Sequence, residues 1–277
     1  MAIGLIRRPP ARAEDDFDID AFKARSTPVS LEGIDLTSFL DQPLDQPTLR
    51  CIRYMHDVEY HTVCYLRDLL VTPAHRDPTV TTFLTLWNVE EMYHGDALGA
   101  VLTAHGEPAG RNRVTTTRQR LGPLDRLAPV AHSLGSLLVG PAWTAVHMTW
   151  GAVNEWTAQA AYARLGQQAD HPTLSALLAR IMRQEGRHAD FYARQAERRL
   201  KDDALARRLT RTALRRWWAP VGSTLLPRSE VAFLAGHLFT GPEGRAMTER
   251  IDRRLDGLPG LAGLRLATAA AEGLARQ

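Results

Sequence analysis

The chain has 277 residues, 44% of them apolar and 23% charged, with two cysteines and a formal net charge of +3. That length and balance exclude disorder throughout and predict a sizeable buried core, while the weak positive charge gives no sign of nucleic-acid binding. No stretch approaches the ~18 apolar residues of a membrane span, and in MAIGLIRRPP the apolar residues precede the arginines, the reverse of a secretory leader. A cytoplasmic protein without a transmembrane segment is expected.

Residues 1–45 carry several Pro and Asp and no sustained period, which predicts an arm that wraps or frays. Helical spacing begins after Pro47, where Ile52, Met55, Glu59, Val63, Leu66 and Leu70 form one stripe at three- and four-residue steps. Cys51 and Cys64 fall on this helix about 20 Å apart, beyond disulfide reach, so both are expected as free thiols. Pro73 and Pro78 separate it from a second helix whose stripe reads Leu84, Trp87, Glu91, His94, Leu98 and Val101, ending at His105-Gly106. Residues 107–140 form a long connection with five arginines and one short helix expected near 130–138. A third helix, from 141 to about 165 with Gly166 as its cap, aligns Thr144, Met148, Ala152, Glu155, Ala158 and Tyr162. A fourth, after Pro172, aligns Leu178, Ile181, Glu185, His188 and Tyr192. Three helical stretches follow, near 202–218, 228–239 and 243–275. With no strand alternation of useful length, the expected fold is all-α: a four-helix bundle over 46–200, a crossover between its two hairpins, and a helical extension over 201–277 packed on it.

Two fragments break the apolar stripes with acid and imidazole. EEMYHGD (90–96) and QEGRHAD (184–190) both contain Glu-x-x-His, whose side chains share one helix face about a turn apart. Each is preceded by a helix with a single inward glutamate, Glu59 before the first and Glu155 before the second. Glu59 lies fourteen residues before Pro73 and Glu91 thirteen after Pro78; Glu155 lies eleven before Gly166 and Glu185 thirteen after Pro172. Side chains equally far from a turn sit at equal depth in an antiparallel pair, so Glu59, Glu91, His94, Glu155, Glu185 and His188 are expected on one level. Buried carboxylates left unpaired would cost several kcal/mol each. Two divalent cations would neutralise four of them, and mixed oxygen and imidazole donors suit two iron ions, with manganese as the other candidate.

The motif Trp87-x-x-Glu90-Glu91-x-x-His94-Gly95-Asp96, with Glu185-x-Arg187-His188, resembles the acyl-acyl carrier protein desaturases of the ferritin-like di-iron carboxylate superfamily. The resemblance spans roughly residues 48–200. It implies a di-iron, O2-dependent homodimer that desaturates a fatty acyl chain on acyl carrier protein, with a ferredoxin-type electron donor and the six named residues as ligands. Gln184 and Tyr93 stand where the family has Asp and Arg, Ala158 stands where it has a threonine, and Ile181 occupies the position of the extra ligand histidine of related N-oxygenases. A di-iron hydroxylase or oxygenase acting on a carrier-bound or specialised substrate, and a non-enzymatic ferritin-like iron-binding protein, are the alternative functions. Met55, Leu84, Trp87 and Met148 are candidates to line a substrate channel as well as core residues. His56, one turn before Glu59, is read as a neighbour of the site or a packing residue. The basic run 194–216, with eight arginines and one lysine ahead of Trp217-Trp218, is a candidate surface for an acidic carrier protein.

Overall fold

The computed structural model describes residues 17–119 and 121–275. The first part of the expected arm, residues 1–16, lies outside them. Within the described residues the chain is all-helical, with no strand. Two short helices, α1 (Ile19–Arg25) and α2 (Ser38–Asp41), precede the long α3 (Gln46–Leu70) and α4 (Pro78–Ala104). Next come α5 (Gly110–Gln119) and α6 (Pro123–Val139), then the long α7 (Ala142–Ala169) and α8 (Pro172–Lys201). The remaining helices are α9 (Ala204–Trp217), α10 (Arg228–Leu238), α11 (Gly241–Asp256) and α12 (Leu266–Ala275).

The first two of the four long helices begin on capping aspartates. Asp45 accepts from Thr48 N at the start of α3, and Asp77 accepts from Thr79 N and Val80 N at the start of α4, with a proline in the first turn of each. Arg53 pairs with Glu107, Tyr60 with Asp96 and Thr62 with Asn88, so position falls along α4 as it rises along α3 and the pair is antiparallel. α7 and α8 form the second hairpin, and the two hairpins meet through α4 against α8 and α3 against α7.

The stripes bury as expected in α4 and α8, where Leu84, Leu98, Val101, Leu178 and Ile181 are completely enclosed. Each such side chain contributes about 1.5–3 kcal/mol through removal from water. Toward its end α3 departs from its stripe: Leu70 is exposed and Leu69 is buried instead, because the chain turns there into the 3-10 turn Pro73–Arg76.

Three expectations need correction. α7 does not end at Gly166 but runs on through Gln167, Gln168 and Ala169, good helix formers, and stops at Asp170 with φ 45°. The connection holds two helices instead of one short one. Its polar α5 is held by Arg113 gripping Asp57 with two 2.7 Å bonds, and α6 continues through Pro129. Finally, the stretch 243–275 divides into α11 and α12, joined by Asp252, which accepts from Ala267 N and Thr268 N and so caps the later helix.

Residues 17–45 wrap. They run along α8 in the opposite sense to it, with Thr27 O accepting from Gln184, Ser30 O from Arg180, and Ser38 bonded to Thr173. Phe17 and Phe22 pack against Phe83 and Phe191 on the α4/α8 face. At the other end α9 and α11 pack on α7, and α10 on α3 and α7.

Close approach between helices requires glycine at two points near the acidic level. Tyr60 lies over Gly95, where a Cβ would come within 2.6 Å of the ring, and donates its hydroxyl to Asp96. That contact accounts for the Gly-Asp after His94. On α7, a Cβ at Gly151 would run into the Tyr192 ring. Gly151→Ala is therefore expected to lower unfolding free energy by about 1–3 kcal/mol through overpacking, read as a lower urea midpoint at unchanged slope.

Candidate metal centre

α3, α4, α7 and α8 each bring one glutamate to a common level, α4 and α8 add a histidine one turn later, and α4 also buries Glu90. The structure brings all six expected residues together. Every one is at most 5% exposed. Two overlapping sets of ligand atoms lie within 4.8 Å of one another: Glu59, Glu91, His94 and Glu185, and Glu91, Glu155, Glu185 and His188. Glu91 and Glu185 belong to both sets, while Glu59 and His94 belong only to the first and Glu155 and His188 only to the second.

The imidazoles present Nδ1 to the carboxylates. His94 Nδ1 lies 3.1 Å from Glu91 and 3.1 Å from Glu185; His188 Nδ1 lies 3.2 Å from Glu91, 3.4 Å from Glu185 and 3.8 Å from Glu155. Each Nε2 faces outward to its own acceptor. For His188 this is Glu90 at 2.7 Å, itself gripped by Arg187 at 2.8 Å; for His94 it is the amide oxygen of Gln184 at 2.9 Å. Gln184 in turn donates to Thr27 O, so the arm fixes which way its amide points. Donation from Nε2–H leaves the Nδ1 lone pair for a cation. The terminal carboxylates are oriented too: Trp87 Nε1 donates to Glu155 at 2.9 Å, and Tyr162 donates its hydroxyl to Glu59.

Without a cation this cluster is frustrated. Burial, reinforced by the negative charges of Glu91 and Glu185, raises the Glu59 carboxyl well above its usual range, and burial with the same two neighbours raises Glu155 likewise. Burial also disfavours charge on Glu91 and Glu185, but hydrogen bonds and imidazolium charge outweigh it and lower both, Glu185 to about 2. Against burial, the surrounding carboxylates raise His94 to about 9 and His188 well above its ordinary value. Four protons thus hold the charge that two divalent cations would carry. Even so, Glu185 Oε2 and His188 Nδ1 are enclosed with no hydrogen-bond partner. Orphaned polar atoms of this kind on α8, set among carboxylates from all four long helices, fit a metal ion.

Residues that motif reading left without a role now have one. Glu90 and Gln184 back the two histidines, and Trp87 and Tyr162 steer the end carboxylates. The doubled glutamate was the available signal for Glu90, and position seven residues beyond Glu155 for Tyr162. His56 is not part of the centre: it bonds Asp57 and accepts from Gly110 N, tying α3 to α5. Of the channel candidates Met55 lines a cavity beside Glu59, whereas Leu84, Trp87 and Met148 belong to the packed core.

Ion-free protein is expected to bind two Fe2+ or Mn2+ per chain, and His188→Ala to lose at least one. Protons on His94, His188, Glu59 and Glu155 must leave on binding, so affinity should tighten as pH rises toward about 9 and weaken below neutrality. Anaerobic titration at several pH values checks this; affinity independent of pH would refute it. No family model and no curated protein matches the chain, so the reading of this centre rests on the geometry of its own residues.

Proposed function

We propose that the protein is an O2-dependent di-iron oxidoreductase of the ferritin-like kind that desaturates a fatty acyl chain presented by acyl carrier protein. The observation that carries this reading is a largely apolar cavity that reaches Glu59 from the side of the C-terminal helices. Its walls include Met55, Ala158, Ala161 and Tyr162 from α3 and α7, and Leu234, Ile251 and Ala271 from α10, α11 and α12. The one carboxylate lining it is a member of the metal cluster. An aliphatic chain is the ligand such walls accept, and the acidic end is where its reacting carbons would lie.

A bound iron pair would supply the reduction of dioxygen and the oxidising power to break unactivated C–H bonds. In balance, one acyl CH2–CH2 unit, dioxygen, two electrons and two protons give one C=C bond and two waters. The electrons require an external donor, for which a ferredoxin-type protein is proposed. The chain's own part is positional. Glu59, Glu91, Glu155 and Glu185 with His94 and His188 would hold the ions. Tyr162 and Trp87 keep the end carboxylates turned inward, and the apolar walls exclude water from the reacting carbons.

Carrier docking is assigned to the basic end of the molecule. Several arginines of the 194–216 run are used internally, among them Arg199 on Asp77, Arg207 on Leu200 O and Lys201 O, and Arg211 on Gly260 O and Ala262 O. Arg208, Arg215 and Arg216 remain exposed beside Trp217, which is 68% exposed. This face suits an acidic partner, and Trp218 leads from it into the cavity wall. Hydroxylation is the second reading, favoured by Ala158: it lines the cavity and offers no hydroxyl there, while Thr157 donates its own to Val153 O. A homodimer is proposed with the family likeness. No helix among the described residues is long and apolar enough to cross a membrane.

The test is iron loading without oxygen, then reductant, dioxygen and a panel of acyl carrier thioesters, with product mass as readout. Loss of two hydrogens is expected; gain of one oxygen replaces desaturation with hydroxylation, and reductant-coupled turnover of neither kind overturns the reading. Ala158→Leu, which fills the cavity beside Glu59, should lower kcat/KM at least about tenfold with iron content unchanged.

A further inference from the structure

We infer that His61, Cys64 and Asp125 form a second metal site, separate from the six-residue centre, for a soft divalent cation of the zinc class. His61 and Cys64 lie one turn apart on the same face of α3, and Asp125 reaches them from the first turn of α6. Their ligand atoms lie within 4.8 Å of one another. Around a tetrahedral ion such donors stand roughly 3.3–3.8 Å apart, so closure needs side-chain adjustment of about 1 Å and no change of helix packing. His61 is two residues beyond Glu59, about 200° further round the helix, and therefore faces α6 and not the bundle interior.

Each donor has capacity to spare. His61 Nδ1 is enclosed and makes no hydrogen bond, and Cys64 is a free, half-buried thiol. Asp125 is held by Arg67 at 3.2 and 3.3 Å, longer than the ~2.7–2.9 Å of a strong charge-assisted pair, which leaves lone pairs for a cation. Arg67 also bonds Asp68 at 2.9 Å, so the carboxylate is oriented without being saturated.

The donor set selects the ion. Sulfur with imidazole and one carboxylate disfavours magnesium and calcium, which take oxygen, and favours zinc. Burial pushes the Cys64 thiol above its ordinary value, so the sulfur keeps its proton until a cation displaces that proton to solvent. Three protein donors leave a fourth position for water or an exchangeable ligand. The bound ion would clamp α6, the outer helix of the connection, onto α3.

The site is tested on the full, iron-loaded chain under argon by titration with Co2+ as a spectroscopic probe. The six-residue centre contains no sulfur, so a thiolate-to-cobalt charge-transfer band cannot arise there, and failure of either reading leaves the other standing. A band saturating at one equivalent and displaced by Zn2+ is expected. It should persist in Cys51→Ala and vanish in Cys64→Ser, while Asp125→Asn weakens Co2+ binding at least about tenfold. Circular dichroism matching the parent establishes that the Cys64 and Asp125 variants are folded. Absence of any thiolate band, or a band that survives Cys64→Ser, overturns the inference.

Discussion

Everything in this bundle is arranged around one electrostatic problem: four carboxylates and two imidazoles share a space from which water is excluded. Isolated charges in such a medium cost several kcal/mol each even after relaxation. The cluster meets this with protons on Glu59, Glu155 and both histidines, and two divalent cations would meet it better, because they would also satisfy Glu185 Oε2 and His188 Nδ1. The surroundings serve the same end. Glu90, Gln184, Trp87 and Tyr162 each spend a hydrogen bond on fixing a side chain of the centre, and Gly95 and Gly151 let tyrosine rings fill the space at the helix contacts nearby.

The long helices and the six convergent side chains were legible in the sequence because they obey periodicity. Acid and imidazole at stripe positions Glu91, His94, Glu185 and His188 stand out against leucine and isoleucine neighbours, and counting from the prolines gave their depth. What stayed illegible depends on contacts distant in sequence. α5 reads as a polar loop until Arg113 meets Asp57, and the length of α7 could not be read from Gly166, since glycine ends a helix only when the residues after it fail to continue. The helix expected near 130–138 begins earlier, at Pro123, and passes through Pro129, whose missing N–H would have met Asp125 O; Arg67 donates to that carbonyl at 3.1 Å instead.

The two halves of the centre repeat in sequence but differ in surroundings. His188 is backed by a carboxylate anchored on Arg187, His94 by a neutral amide anchored on the arm. A carboxylate acceptor makes its imidazole the stronger donor to a cation, and an amide does so less. The arm is thus more than a wrapping: Thr27 orients one side of the cluster, and Phe22 packs a ring 6.1 Å from His188 on the other.

The cavity beside Glu59 draws its near wall from helices that carry the acids and its far wall from α10, α11 and α12, which carry none of them. Inheritance can therefore act on the two separately. Exchanges at Leu234, Ile251 or Ala271 would remould the hollow and leave the six convergent side chains as they are, so a lineage built on this plan can vary the one without disturbing the other.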